Sequence, residues 1–133
     1  MVIRITEAQN SAMLAANEEA IVQLVIDDLS ETSPETIAGI DYDTLRRMVK
    51  TAFARARTWG LSDPQDLAAF AGVSFEIAPN FDLQRNISRA LKAVRGTRAP
   101  AMLGVIEACS EADWREAEMA YDASAWFPEL IDD

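Results

Sequence analysis

The sequence predicts an all-α fold, a single domain built as a compact bundle of five or six helices. Apolar residues recur at three- and four-residue steps, no segment alternates as a strand would, and capping residues, glycine and proline separate the periodic segments. A chain of 133 residues is long enough for one core without disulfide or metal support. Residues 1–133 are therefore interpreted as one helical domain, with residues 124–133 expected to form a partly mobile tail.

The first two helices are predicted from their caps and apolar stripes. Helix one is expected to begin after an N-cap at Thr6 and to end near Ser30. Gly60 is the expected C-terminal cap of helix two, because glycine enters the left-handed conformation without a steric penalty, and Leu61 should fold back onto the last turn. The apolar stripe of helix two comprises Leu45, Met48, Val49, Ala52, Phe53 and Ala56.

The third helix is expected to begin immediately after this stop and to end at Pro79. Ser62 or Asp63 would be its N-cap, with Gln65 or Asp66 as the reciprocal partner of a capping box. The remaining helices are expected over residues 83–94, 100–109 and 110–122, the last opened by a capping box of Ser110 and Asp113.

Composition excludes several kinds of catalytic site. The chain has no histidine, so Ser-His and Cys-His nucleophile pairs and imidazole metal sites are impossible. Its five glycines are isolated, so no glycine-rich phosphate loop is present. We therefore predict a non-enzyme without catalytic, cofactor-binding or metal-binding residues, although a two-carboxylate hydrolase stays open as an alternative. The closest acid groupings, which surface solvation explains, are Glu18–Glu19, Asp27–Asp28 and Asp41–Asp43.

A cytoplasmic location is expected. No apolar run approaches the roughly 20 residues of a membrane span, and the N-terminal residues have no apolar core of a signal peptide. The single cysteine, Cys109, cannot form an internal disulfide and is interpreted as a small buried apolar residue.

Charge is segregated into blocks along the chain, whose formal net charge is -10. Residues 1–43 carry nine acids and one base, and residues 107–133 again carry nine acids and one base. Between them, residues 44–58 and residues 85–98 each carry five bases and no acid, separated by four acids in residues 63–82. The basic helices could simply pair with acidic neighbours, or the blocks could form two faces displayed to partners.

The acid excess at the two ends favours a protein partner, which could be basic. Nucleic acid and an anionic membrane are excluded as expected partners, because a pI of about 4.4 provides no net basic footprint. A homodimer that sets basic blocks against acidic blocks is a further possibility. Trp126 and Phe127 could close the core or anchor a partner, and the sequence does not choose between these. The candidate partner-binding residues are Asp27, Asp28, Glu111, Asp113, Trp114, Glu118, Trp126 and Phe127.

Two segments resemble a known family. LRRMVKTAFARARTWGLSDPQDLAAF, residues 45–70, and EIAPNFD, residues 76–82, are similar to small helical proteins encoded beside type VI secretion toxins and their adaptor or chaperone proteins in Proteobacteria. The opening ITEAQ is also similar. Ala78 stands where the family pattern has glycine, Asn80 stands where it has aspartate, and the chain from Gln84 onward matches poorly.

The resemblance implies a protein-binding accessory inside the cell rather than a mechanism, since its motifs are helix caps. The implied role is that of a co-adaptor or chaperone that loads a toxin effector. The alternative is an immunity protein that neutralises a cognate toxin through its acidic surface.

Overall fold

All regular elements in residues 18–98 and 100–127, the part of the chain that the computed structural model describes, are helical. This confirms the predicted all-α class, whereas the expected helix start at Thr6 lies outside the described residues. Three short 3-10 turns cover Pro34–Thr36, Phe81–Leu83 and Ala123–Trp126. The α-helices are α1 (Glu18–Thr32), α2 (Tyr42–Thr58), α3 (Pro64–Glu76), α4 (Arg85–Ala93), α5 (Ala101–Ala108) and α6 (Glu111–Met119).

Helix α3 forms the centre of a single compact domain. All of its residues are buried except Gln65 and Glu76, and α1, α2 and α5 all pack against it. Four of the five residues between Leu67 and Val73 are alanine or glycine, and these small side chains leave room for neighbouring helices to pack against α3. The Phe70 ring on α3 packs at a tilt against the Phe81 ring at a centroid distance of 4.7 Å, which ties the turn before α4 to the core.

The stop between α2 and α3 is a Schellman motif, as the glycine predicted. The Leu61 N–H donates to the Ala56 carbonyl at 3.1 Å, and the Gly60 N–H donates to the Arg57 carbonyl at 2.9 Å. Gly60 has φ +88°, and Leu61 folds back into the core with 4% of its surface exposed. The sequence-based interpretation of this punctuation is confirmed.

The restart at α3 is simpler than the predicted capping box. Asp63 is the N-cap, and its carboxylate accepts the Gln65 N–H at 2.9 Å. The expectation that Asp66 would bond back to its own N-cap is wrong. Asp66 instead accepts the backbone N–H of Met102 at 2.9 Å, so it caps the start of α5 from a different helix. Helix α5 needs this partner because its N-cap residue is Pro100, which offers no capping side chain.

Helix α4 begins two residues later than expected. Gln84 has extended backbone angles, and its side-chain oxygen accepts the Ile87 N–H at 2.8 Å, so Gln84 is an N-cap rather than a helical residue. The preceding Phe81–Leu83 segment consequently forms a turn of its own.

Helix α6 has the predicted capping box but a shorter course. The Asp113 N–H donates to Ser110 Oγ at 3.2 Å, and the Ser110 N–H donates to Asp113 Oδ2 at 2.9 Å. The helix ends at Met119 rather than near Asp122. Asn80 holds this end, since its amide donates to the Ala120 carbonyl at 3.0 Å and accepts the Asp122 N–H at 3.0 Å.

Candidate protein-binding surfaces

The α2 basic block is used inside the fold. Lys50 lies 2.5 Å from Glu19, Arg46 also pairs with Glu19, and Arg57 lies 2.7 Å from Glu18. The hydrogen bond from Lys50 is the main cause that lowers the pKa of the Glu19 carboxyl, followed by that from Arg46. Such partly exposed pairs are screened by solvent, so they contribute little to stability and mainly fix how α1 lies against α2.

Arg55 is a half-buried member of this block and pairs with a buried acid. Its Nη2 lies 2.5 Å from Asp82 Oδ1, and the Trp59 indole N–H donates to Asp82 Oδ2 at 2.8 Å. Asp82 is only 3% exposed, so these two donors replace the water that its carboxylate loses on folding. The contact joins the end of α2 to the turn before α4. For α2, therefore, the interpretation of the bases as architecture is confirmed.

The α4 basic block is arranged differently. Arg85, Arg89 and Lys92, which we call the α4 basic stripe, are exposed at steps of four and three residues. Ile87 and Leu91 face the core from the other side of the helix. Within the described part of the chain, no member of this stripe forms an ion pair, in contrast to the bases of α2.

The end of α1 and the 3-10 turn that follows it carry four carboxylates, which we call the α1 acidic end: Asp27, Asp28, Glu31 and Glu35. All except the half-buried Asp28 are exposed, and none forms an ion pair with a described base. Asp27 accepts only a hydrogen bond from the Gln23 amide, at 2.8 Å. Glu31 lies in the last turn of α1, which is the negative end of the helix dipole, and this turn contains no base that would offset its charge.

The predicted residues of α6 divide into exposed and internally bonded groups. Glu111 and Glu118 are exposed. Asp113 is held by the Asn86 amide at 2.8 Å and by the capping box, and the Asn86 bond is the main cause that lowers the pKa of its carboxyl. Trp114 is half-buried and lies 6.1 Å from the Phe81 ring.

The two aromatic residues of the C-terminal segment pack on the domain. Trp126 is 4% exposed, and its ring lies 4.6 Å from that of Phe75. Its indole N–H donates to the Tyr121 hydroxyl at 2.9 Å. Phe127 is half-buried beneath the Arg47 guanidinium, 5.1 Å from the ring centroid. The structure thus places Trp126 in the core, which is the first of the two roles that the sequence left open.

The structure brings only some of the predicted partner-binding residues together. Glu111, Asp113, Trp114 and Glu118 share α6, and Trp126 and Phe127 follow within the next turn. Asp27 and Asp28 belong to α1 instead. The exposed acids therefore form at least two separate surfaces, the α1 acidic end and the outer side of α6.

Sequence reasoning missed a groove between α6 and the start of α4, which we call the α4–α6 groove. One wall consists of Asn80, Leu83, Gln84 and Arg85, and the other consists of Glu116, Ala117 and Ala120. Leu83 is 68% exposed beside it, and Met119 on the next ridge of α6 is 83% exposed. The spacing of Arg85, Arg89 and Lys92 was a usable signal for the basic side. Leu83 was missed because it was assigned to α4.

The buried carboxylates are occupied by the fold. In residues 18–98 and 100–127, Asp66 and Asp82 are the buried acids, and both accept hydrogen bonds from protein groups. The same residues contain no cluster of three or more Cys, Asp or Glu side chains that could hold a metal ion. No helix in the described ranges has both the length and the apolar composition needed to cross a membrane.

Comparison of the chain with protein-family models, with curated proteins and with solved structures finds no match. The resemblance of residues 45–70 and 76–82 to the secretion-associated family stays a prediction.

Proposed function

We propose that this chain is a non-enzymatic accessory protein that binds a basic protein partner through the α1 acidic end. The observation that carries the proposal is the contrast between two sets of acids. Glu18 and Glu19 on the first turn of α1 are paired with bases of α2, whereas the acids at its other end have no such partner among the described residues.

Electrostatics supports a role for the unpaired set outside the fold. Carboxylates in the last turn of a helix oppose its dipole, and each costs about 0.3–1 kcal/mol relative to a favourable charge. Glu31 lies in that turn, with Asp27 and Asp28 one turn earlier. A cationic partner surface would remove this unfavourable interaction and would be attracted over a Debye length of about 8 Å at physiological salt.

The cellular role follows from the resemblance to proteins encoded beside type VI secretion toxins. In that setting the partner is a toxin effector or its adaptor, and the chain acts in the cytoplasm as a co-adaptor or chaperone during effector loading. Caps and ion pairs fix the helices against one another, so the α1 acidic end is presented on a rigid surface, as in many preorganised complexes.

An immunity protein is the second candidate. The acidity of the α1 acidic end favours it, because an unpaired acidic surface complements the basic cleft of a nuclease toxin. Both roles require the same acidic surface, and they are distinguished by the effect that loss of the chain has on the producing cell.

Deletion of the gene separates the two candidates. A co-adaptor is required for delivery of the neighbouring toxin to competitor cells, and its loss leaves the producing cell healthy. An immunity protein is required for survival of the producing cell, and its loss leaves delivery intact. Delivery that continues normally from a deletion strain would contradict the co-adaptor role.

The carboxylate hydrolase is the least favoured alternative. Both buried acids of the described chain already accept internal hydrogen bonds, Asp66 from Met102 and Asp82 from Arg55 and Trp59. An enzyme would nevertheless reveal itself through a single Asp or Glu substitution that abolishes biological activity while partner binding is retained.

A further inference from the structure

We propose that the α4–α6 groove is the interface of a two-fold symmetric dimer of this chain. The proposal does not depend on the identity of the partner at the α1 acidic end, because it uses other residues. It rests on the charges and exposed apolar side chains that line the groove.

The two walls of the groove have opposite charge. Arg85 is on one wall and Glu116 on the other, yet they do not form an ion pair in the described structure. The basic wall continues outward into the rest of the α4 basic stripe, past Ser88. The acidic wall belongs to α6, whose other exposed charges are Glu111, Arg115 and Glu118. Arg85 and Glu116 are therefore both available to pair with a second molecule.

Exposed apolar side chains flank the same groove. Leu83 and Met119 are exposed by 68% and 83% of their surfaces, more than the other large apolar residues that are exposed in the described chain. Methionine and arginine are enriched in protein interfaces, and a second molecule seated on the groove would cover both exposed apolar side chains. Leu83 belongs to the basic wall and Met119 to the ridge behind the acidic wall.

A second copy is the partner that such a surface fits. In a two-fold symmetric interface, the same patch meets itself after a half-turn, so the patch must be self-complementary. A half-turn about an axis that runs along the groove, in the plane of the interface, places the basic wall of one protomer over the acidic wall of its partner. The same rotation brings Leu83 of one protomer toward the Met119 ridge of the other.

Nucleic acid is a weaker fit to the α4 basic stripe. Binding to phosphates requires a basic footprint, and here three bases stand beside an acidic helix in a chain of net charge -10. A different acidic protein would satisfy the bases but would leave the acidic wall of the groove unmatched.

Charge reversal with rescue tests the dimer. The variants are Arg85→Glu, Glu116→Arg and the double variant, each studied as the full chain by sedimentation velocity at physiological ionic strength over a wide concentration range. Both side chains are exposed, and circular dichroism of each variant checks that the fold is retained.

We expect a wild-type dimer, and each single reversal should raise its dissociation constant about tenfold or more, since like charges then face each other twice. An equimolar mixture of the two single variants should form a heterodimer, because both contacts again join opposite charges. The double variant should form a homodimer, and it keeps the wild-type net charge of -10. Glu107→Arg, on the exposed side of α5, is the control that should leave the dimer unchanged.

Three results would overturn the proposal. The first is a wild-type chain that stays monomeric at all concentrations. The second is a dimer that both single reversals leave intact, and the third is a dimer that the mixture fails to restore. A monomer that binds polyglutamate or duplex DNA through Arg85 would contradict the dimer in favour of an acidic protein or a nucleic acid.

Discussion

At the scale of single residues, the carboxylates of this chain have two kinds of environment. Asp66 is 3% exposed, and burial raises the pKa of its carboxyl, while the N–H groups of Met102 and Ala101 lower it in part. Asp113 lies near the surface, and hydrogen bonds from Asn86 and Ser110 hold the pKa of its carboxyl below the ordinary value. Burial thus disfavours the ionised form of Asp66, whereas hydrogen bonds favour the ionised form of Asp113.

The cap that Asp66 provides to α5 predicts a graded pair of variants. Asp66→Ala leaves the Met102 N–H without its acceptor in the interior, and we expect a loss of about 1–3 kcal/mol in the free energy of unfolding. Asp66→Asn keeps an oxygen acceptor and avoids a buried charge, so it should lose less than half as much. Urea denaturation measures both, and equal losses would contradict the capping role.

The raised pKa of Asp66 also predicts the sign of a pH effect. The folded state binds a proton to Asp66 more tightly than the unfolded state does, so this group contributes stability below its unfolded value, near 3.8. That contribution is lost as the pH rises through the folded pKa. The stability of the wild-type chain relative to Asp66→Asn should therefore decline as the pH rises above about 4. A relative stability that increases over this range would contradict the assignment.

Asp113 predicts the opposite sign. Its folded pKa is lowered, chiefly by the Asn86 amide, so its contribution to stability is present above the unfolded value of about 3.8 and is lost as the pH falls. Compared with Asp113→Asn, the wild-type chain should lose stability on acidification. Denaturation curves for both proteins between neutral and acidic pH provide the measurement, and parallel curves would be inconsistent with this account.

At the scale of the elements, the helix ends determine how the bundle is assembled. The α2–α3 stop depends on Gly60, whose φ of +88° is a conformation that residues with a side chain adopt only with strain. A methyl group there would also meet Arg95 Cγ at 3.2 Å, and the Arg95 guanidinium donates to the Thr58 carbonyl at 3.2 Å. Two groups therefore satisfy the carbonyls at the end of α2: the backbone N–H of Gly60 and the side chain of Arg95, which comes just after α4.

This geometry predicts opposite effects for two glycine-to-alanine variants. Gly60→Ala should destabilise the chain by about 1–2 kcal/mol, because alanine is strained in the left-handed conformation. Gly104→Ala is the matched control, since Gly104 lies within α5 and its added methyl meets only Val94 at 3.7 Å. Alanine should stabilise that helix by up to about 1 kcal/mol. Thermal melting compares the two, and a Gly60→Ala variant as stable as Gly104→Ala would contradict the role of the cap.

The sequence predicted those features that depend on neighbours along the chain. The Gly60 cap and the Ser110–Asp113 capping box are local patterns, and the structure contains both. Asp66 was assigned wrongly because its partner, Met102, is 36 residues away and only tertiary packing brings them together. The same reason explains why two basic blocks of equal size could not be told apart. Arg55 pairs with Asp82 across 27 residues, whereas no such acid reaches the α4 basic stripe in the described structure.

At the scale of the whole molecule, charge that the fold uses is separated from charge that it leaves exposed. The acids at the start of α1 pair with α2, and the acids at its end do not pair with any described base. In the proposed dimer, the α4–α6 groove is covered and two copies of the α1 acidic end are exposed. Such a dimer could bind two partner molecules at once, which raises the effective affinity for a partner that is itself multivalent.

The most direct test of the central claim is a pair of measurements on one variant, Glu31→Lys. A lysine in the last turn of α1 suits the helix dipole, so the free energy of unfolding should rise by about 0.3–1 kcal/mol. The same change should weaken binding to the proposed basic partner, a toxin effector or its adaptor, in titration calorimetry, with Glu107→Lys on α5 as the control that leaves binding unchanged. A variant that gains stability and loses affinity supports an acidic end kept for a basic partner, and one that binds as tightly as the wild-type chain contradicts it.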